Sequence, residues 1–354
     1  MGELLFLSSY FSSKFYIFES GLPQPSHFLI LILLIYFLIF NFKAIGDKSL
    51  KALFIFVSYV VVVNLIWAII SGSQSYLNSI VFWVFNFLTF SIFISIEKIR
   101  FPLFQNIILF SFIIIFLCWL LGVGRYNFNP RYNFFFNDPN QLAFWVLCSL
   151  SIYLIKPNKL SLFVILLGFL IVISSMSRSA ILGIVLIFLG YTFNFKLNIK
   201  SIFFKVISIF ILFVSINIII YNNQDEVSYL IDRFAETDIE DQADIRGYTA
   251  LGKYPEYLLF GGGQGEYNRF SSTNHEIHST WAGILFYYGF IGLLLFLIFL
   301  WTIWSRLSFY EKIIFLAPLV YGFSTYGLRA SIFWFFLATY VMHVKFKNPG
   351  NKDI

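Results

Sequence analysis

The amino-acid sequence predicts an all-α polytopic membrane protein with about eleven transmembrane helices, and three observations lead to this fold class. Of the 354 residues, 59% are hydrophobic and only 12% are charged, whereas a soluble domain carries about a quarter charged residues. Apolar segments recur from about residue 27 to residue 344. Nearly all the connections between them are short. Because every backbone polar group needs an internal partner in hydrocarbon, each segment is expected to be helical.

The predicted transmembrane segments follow one another along the chain, which we treat as a single integral membrane domain, residues 1–354. In order they are residues 26–42, 51–71, 76–96, 101–121, 140–155, 160–176, 179–194, 201–221, 280–304, 312–327 and 330–345. Several are only about 16 residues long, which is close to the lower limit for crossing a bilayer. We expect these to extend into flanking aromatic residues or to tilt little.

An amphipathic stretch, residues 4–18, precedes the first of these segments. One helical face carries large apolar side chains and another carries serines, namely Leu4, Leu7, Phe11, Phe15 and Phe18 against Ser8, Ser9, Ser12 and Ser13. This pattern favours a helix that lies in the membrane interface, with the N-terminus outside. A twelfth span, which would place the N-terminus inside, is the alternative.

The basic residues divide unequally between alternate connections. One set holds fifteen of them: Lys43, Lys48, Lys51, Lys98, Arg100, Lys156, Lys159, Lys196, Lys200, Lys205, Arg306, Lys312, Lys345, Lys347 and Lys352. The other holds nine: Lys14, Arg125, Arg131, Arg178, Arg233, Arg246, Lys253, Arg269 and Arg329. By the positive-inside rule the first set is cytoplasmic, and so is the C-terminus. Orientation in the lipid bilayer thus accounts for the net charge of +6, and no nucleic-acid partner is needed.

The outer set is rich in arginine, because it holds seven of the nine arginines in the chain. Topology does not explain a preference for arginine over lysine. The guanidinium group is a planar fork that binds phosphate or carboxylate through two hydrogen bonds. We therefore expect an anionic ligand at the outer membrane surface, and a lipid-linked phosphate is the natural candidate.

Two of the outer connections are long. Residues 122–139 are rich in Gly, Asn, Pro and aromatic residues, and residues 222–279 form the one large extramembrane segment of the sequence. Long loops are usually functional or disordered. We expect residues 222–279 to be partly ordered and packed over the membrane mouth. The acidic run at residues 236–244 is interpreted as a solvated face.

The sequence around two of the outer arginines predicts a functional role for them. Arg178 lies between two apolar segments with no room for a loop, which predicts a functional charge at the interface, or else a snorkelling anchor. Arg246 precedes a glycine-rich turn. There Gly262, Gly263 and Gly265 would let the backbone approach a ligand closely, although a flexible return to the membrane is the alternative.

His278 opens the span at 280–304, within the sequence Asn-His-Glu-Ile-His-Ser-Thr-Trp. Its spacing from His275 differs from the zinc-binding H-E-x-x-H pattern, so no metal site is predicted. A histidine at the start of a span, facing arginines, suits a general base. The alternative is a polar helix entry capped by Ser279 or Thr280.

Four stretches of the sequence, in this order, resemble the superfamily of O-antigen polymerases and O-antigen ligases. They are Phe-Asn-Asp-Pro-Asn-Gln-Leu-Ala at 136–143, Ser-Arg at 177–178, the arginine and glycine turn at 246–265, and His-Ser-Thr-Trp through Gly-Phe-Ile-Gly at 278–292. Arg246 and Gly262 fit the family's arginine-to-glycine spacing. The companion spacing after Arg178 fails by one residue at Gly190, and Tyr288 stands where the family often has glutamate.

The resemblance implies a GT-C-like glycosyltransferase of lipopolysaccharide biosynthesis, acting at the periplasmic face of the bacterial inner membrane. The expected donor and acceptor are undecaprenyl-diphosphate-linked oligosaccharides, and a chain-length regulator protein is a further expected partner. A repeat-unit polymerase is favoured over an O-antigen ligase acting on lipid A core, and a flippase is favoured least. The diphosphate would be bound by Arg178 and Arg246, with Arg329 and Arg125 as further members. His278 would be the catalytic base, without a metal or cofactor.

Overall fold

The computed structural model describes residues 1–18, 23–40, 46–96, 99–194, 246–270 and 276–347. Within these ranges the chain forms α-helices α1 (Gly2–Ser12), α2 (Pro25–Phe40), α3 (Lys48–Ser71), α4 (Ser75–Ser95), α5 (Phe101–Leu120), α6 (Pro139–Tyr153), α7 (Ser161–Ser174), α8 (Arg178–Phe193), α9 (Thr249–Lys253), α10 (Thr280–Trp304), α11 (Phe309–Tyr321) and α12 (Ser331–Lys347). Short 3-10 helices lie at Pro255–Tyr257, Tyr267–Arg269 and Gly327–Arg329. No β-strand occurs in the same ranges.

Four helices of the described chain, α3, α4, α5 and α10, are long and apolar enough to span a membrane. Helices α2, α7 and α8 are shorter apolar helices. The prediction of a helical membrane protein is confirmed at this level. Ten of the predicted spans coincide with a helix, whereas the predicted span at 201–221 lies outside the described residues. The total of about eleven spans stays a prediction.

Helices α6 and α12 form the centre of the bundle. Almost every residue of both helices is buried, and the indole rings of Trp145 and Trp334 are fully buried. A helix that is apolar on all sides is typical of the centre of a helical membrane bundle. Both helices begin at the same end of the bundle, beside the site described below.

Contacts between helices sort the connections into two ends. At one end, the lysine end, Arg306 before α11 forms an ion pair with Asp47 before α3, at 3.4 Å. At the other, the arginine end, the Arg246 guanidinium donates to the Ser324 carbonyl after α11, at 2.7 Å. In both contacts, the two connections that meet belong to the same set in the alternation of lysine-rich and arginine-rich connections.

The prediction that the first amphipathic stretch lies in the membrane interface is wrong. Helix α1 lies inside the bundle, and Tyr10 is fully buried. Glu3 pairs with Arg100 at the lysine end, at 3.1 Å. The backbone N–H of Tyr16 donates to the Phe135 carbonyl at the arginine end. The segment therefore runs along the length of the bundle, as the alternative of a further span requires.

The serines of α1 gave a misleading pattern because their hydroxyl groups bond within the segment itself. Ser9 donates to the Leu5 carbonyl and Ser13 to the Tyr10 carbonyl, each at 2.6 Å. Such bonds back to the preceding turn satisfy the hydroxyl without water. A serine-bearing face can consequently pack against other helices, and the amphipathic pattern does not require a surface position.

Helix α10 is broken at Gly289, whose φ of 66° and ψ of −174° are not helical. Residues 258–263, which we call the re-entrant segment, complete the hydrogen bonding of the break. Phe290 N–H donates to the Leu258 carbonyl, and Gly262 N–H donates to the Phe286 carbonyl. Irregular backbone inside a membrane bundle needs such protein partners.

The re-entrant segment runs along the side of the bundle, where the side chains of Leu259 and Phe260 are exposed. The Tyr59 hydroxyl donates to the Phe260 carbonyl at 2.9 Å, and Tyr59 lies roughly 18 Å along α3 from its end at Ser71, at 1.5 Å of rise per residue. The large loop was predicted to pack over the membrane mouth. Part of it instead descends beside α3 and α10.

Candidate functional site

A cleft of about 610 Å³ lies at the arginine end of the bundle. Its lining comes from Tyr16, the first turn of α6, the residues just before α10, and the connection between α11 and α12. Three residues of the predicted site line it: Arg246, His278 and Arg329. The cleft thus gathers side chains from distant parts of the sequence above the two central helices.

Arg246 and His278 are held together by the backbone. The N–H of His278 donates to the Arg246 carbonyl at 3.0 Å. The hydroxyl of Tyr248 donates to the Phe323 carbonyl at 2.6 Å and lies 2.8 Å from the Ser279 hydroxyl. The imidazole of His278 is exposed to the cleft. Both functional groups are therefore anchored at their backbones and point into the same space.

Arg329 is engaged by protein groups. Its guanidinium forms an ion pair with Glu276 at 2.7 Å and donates to the Tyr267 hydroxyl at 2.9 Å. Tyr267 in turn donates to the Glu276 carboxylate at 3.2 Å. Burial, together with the neighbouring Glu276 charge, raises the pKa of Tyr267 to about 12. The phenol therefore stays protonated and serves as a donor at neutral pH.

Glu276 is held from behind by Gln264, which is 1% exposed. The Gln264 amide nitrogen donates to Glu276 at 2.9 Å, and its oxygen accepts from the Tyr288 hydroxyl at 2.8 Å. Trp83 donates to the same Tyr288 hydroxyl at 2.7 Å, and Asn64 accepts from the Gln264 backbone at 2.9 Å. Helices α3, α4 and α10 thereby fix the carboxylate that pairs with Arg329.

The first turn of α6 contributes a different kind of surface. Asp138 caps the helix by accepting from the Asn140 backbone N–H. The Asn140 side-chain oxygen accepts from Arg131 at 3.0 Å and from the Ser177 hydroxyl at 3.1 Å. Gln141 follows on the cleft wall. Arg131 is itself buried, and the sequence analysis did not single it out.

Arg178 and Arg125, the other predicted arginines, do not line the cleft in the part of the chain that the structure describes. Arg178 begins α8, directly after the serine that bonds Asn140. Arg125 donates to the Asn137 side chain at 2.9 Å, within the loop that precedes α6. Both lie at the arginine end but outside the site.

The glycines of the turn have packing roles. The N–H groups of Gly262 and Gly263 donate to carbonyls of α10, each at 2.9 Å. A Cβ on Gly263 would lie 2.6 Å from Trp67, and one on Gly265 would lie 2.6 Å from backbone atoms of Ser75. The space beside them is filled by protein. None of the three glycines lines the cleft, and the close approach of Gly262, Gly263 and Gly265 to a ligand stays a prediction.

One of the missed features had a signal in the sequence. Gly289 and Gly292 inside a predicted span are a signal for a broken helix with another backbone close by. Glu276 lies two residues before His278, and the sequence analysis assigned it no role. Its pairing with Arg329 depends on tertiary contacts, and no local pattern reports it.

Among the described residues, no group of three His, Cys, Asp or Glu side chains is arranged to hold a metal ion. His275 lies outside those residues. No protein-family model matches the chain, and no curated protein matches it.

The chemistry of the cleft combines anion binding with proton transfer. Two guanidinium groups, Arg246 and Arg329, face a space at the N-terminal end of α12. Helix N-termini carry partial positive charge, which also favours an anion. The exposed imidazole of His278 can accept a proton from a bound hydroxyl group. The arrangement suits a reaction in which an anionic leaving group departs while a hydroxyl attacks.

Proposed function

We propose that this protein is a glycosyltransferase that polymerises lipid-linked oligosaccharide repeat units at the periplasmic face of the bacterial inner membrane. The donor would be linked to undecaprenyl diphosphate. The observation that carries the proposal is the meeting of Arg246, His278 and Arg329 in one cleft at the arginine end. These residues come from separate parts of the chain.

Arg246 would bind the donor diphosphate. As the glycosidic bond from sugar C1 to the diphosphate oxygen breaks, negative charge develops on the diphosphate. A preorganised guanidinium stabilises that charge where it forms. Arg329 would join Arg246 when phosphate oxygens replace the Glu276 carboxylate on its guanidinium. Arg178 and Arg125 are left out of this proposed clamp, because they lie outside the cleft.

His278 would act as the general base. The acceptor hydroxyl attacks C1 from the face opposite the diphosphate, its proton passes to the imidazole, and the diphosphate leaves with the bonding electron pair. A single displacement of this kind inverts the anomeric centre. The proposed reaction assigns no step to a cofactor.

A polymerase is preferred to the neighbouring functions for reasons of loop length and charge placement. The short connections between most of the helices favour joining repeat units over recognising lipid A core. A flippase needs charge along a central cavity. In the described bundle, the arginines of the cleft lie at one end.

The test is made in cells from which the gene has been deleted and which carry the gene back on a plasmid. Arg246→Lys keeps the charge but loses the bidentate fork. Long polysaccharide should fall at least about tenfold, as expected for losing a charge-assisted hydrogen bond, and lipid-linked single repeats should accumulate. Lys253→Arg, an exposed basic residue at the same end, is the matched control and should behave as wild type.

Two outcomes would count against the proposal. Normal long polysaccharide in the deletion cells would exclude a polymerase. Long polysaccharide that remains on the lipid carrier, unattached to lipid A core, would instead indicate a ligase.

A further inference from the structure

The lining of the cleft has two chemically distinct parts. Arg246, Arg329 and His278 make one part cationic or basic. The first turn of α6 supplies the other, which we call the α6 face: Asp138, Asn140, Gln141 and Phe144. The residues of the α6 face have no role in the proposed reaction.

Charge decides which portion of a substrate can lie at the α6 face. The carboxylate of Asp138 caps the N-terminus of α6 by accepting from the Asn140 N–H. A carboxylate in that position neutralises the helix end and repels a phosphate. The diphosphate therefore belongs beside Arg246 and Arg329, and the α6 face is left for an uncharged portion.

The hydrogen-bonding groups of the α6 face are matched to hydroxyl groups. The Asn140 oxygen already accepts from Arg131 and Ser177, so the group that Asn140 can offer to the cleft is its N–H donor. The Gln141 side-chain oxygen is buried and has no hydrogen-bond partner among the described residues. A buried acceptor without a partner calls for an explanation. An adjacent donor and acceptor suit hydroxyl groups, which both donate and accept.

We infer that the α6 face is a binding subsite for the saccharide of a lipid-linked repeat unit, with the Gln141 amide oxygen accepting from a sugar hydroxyl. This inference rests on the proposed glycosyltransferase function. It adds the direction in which the substrate lies, with the diphosphate at Arg246 and the sugar towards α6. Asn140 is positioned for the same task by Arg131 and Ser177.

The experiment measures saccharide binding separately from turnover. The probe is the free oligosaccharide released by mild acid from the lipid-linked repeats that deletion cells accumulate. Its binding to the purified full-length protein is followed by saturation-transfer NMR. Gln141→Leu removes the acceptor at similar size and should weaken binding about three- to tenfold, the range for one hydrogen bond. Gln141→Met, which is unbranched like glutamine, should reproduce the loss.

Two controls make the measurement specific. Gln74→Leu is the same substitution at an exposed position of the arginine end, outside the cleft, and should bind as wild type does. The thermal stability of each variant shows that it is folded.

Three results would overturn the subsite: no binding by the wild type, equal binding by wild type and both Gln141 variants, or equal weakening by Gln74→Leu. Elongation of the lipid-linked repeats is assayed on the same preparations. The wild type could bind the oligosaccharide, with weaker binding in Gln141→Leu, and yet elongate no repeats. That result would contradict the polymerase proposal and still support the saccharide subsite.

Discussion

The backbone N–H of His278 donates to the carbonyl oxygen of Arg246 across 3.0 Å, although the two residues lie far apart in the sequence. This bond joins Arg246, in the large loop, to the residues that enter α10. It fixes the distance between Arg246, which is proposed to bind the diphosphate, and His278, the proposed base. Small shifts in either segment should therefore disturb both groups together.

His278→Ala should lower the rate of repeat-unit joining by about 10²–10⁴-fold, because a positioned general base contributes on that order. Initial rates are measured with purified protein and lipid-linked repeats, and Lys253→Ala is the control. The protein should remain folded, since the imidazole is exposed to the cleft. Wild-type rates in His278→Ala would remove the base from the mechanism and turn attention to Glu276.

Glu276→Gln should lower the KM for the lipid-linked substrate by about two- to fivefold, the range for a partly exposed ion pair. The substitution removes the carboxylate that competes with the diphosphate for Arg329. Glu256→Gln, at an exposed position of the arginine end, should leave KM unchanged. A raised KM, or loss of turnover at an unchanged KM, would mean that Glu276 does something other than compete.

Gly289→Ala should destabilise the protein by at least about 1–3 kcal/mol, the cost of a non-glycine residue in a strained backbone region. Its Cβ would also lie 2.2 Å from the Leu259 carbonyl oxygen. The melting temperature in detergent reports the change. Gly252→Ala in α9, where a Cβ meets nothing within 4 Å, is the control. If Gly289→Ala melted at the same temperature as the wild type, the break in α10 at Gly289 would be contradicted.

Cysteine labelling tests the orientation. In a background without Cys118 and Cys148, Asn268→Cys at the arginine end should react with an impermeant reagent added to intact spheroplasts. Lys159→Cys at the lysine end should react only after lysis. Both positions are exposed. The reverse pattern would invert the topology and move the cleft to the cytoplasm.

Much of the fold could be predicted because apolar length and charge are local properties of the sequence. The segments at 51–71, 76–96 and 280–304 match α3, α4 and α10 within a few residues. Helix α1 was misplaced because its serine hydroxyls bond inside the chain, which a pattern of polar residues cannot reveal. The depth of residues 258–263 was missed because it depends on a break in a distant helix.

The site was partly predictable for a related reason. An ionisable residue near a membrane is costly and is usually functional. This principle selected Arg246, Arg329 and His278 from the sequence, and all three line the cleft. The same argument also selected Arg178 and Arg125, because cost alone does not say which cavity a charge faces. Gln264, which holds Glu276 in place, is uncharged and gave no comparable signal.

The break in α10 has a consequence for how the chain is made. Residues 258–263 leave the ribosome before α10 does, and the Leu258 carbonyl and the N–H groups of Gly262 and Gly263 have no partners until residues 286–290 arrive. Unpaired backbone groups are not stable in hydrocarbon. The segment must therefore wait in water while α10 is inserted and slide in afterwards. Its docking is a late step in biogenesis, and slow amide exchange at Gly262 and Gly263 would mark the finished molecule.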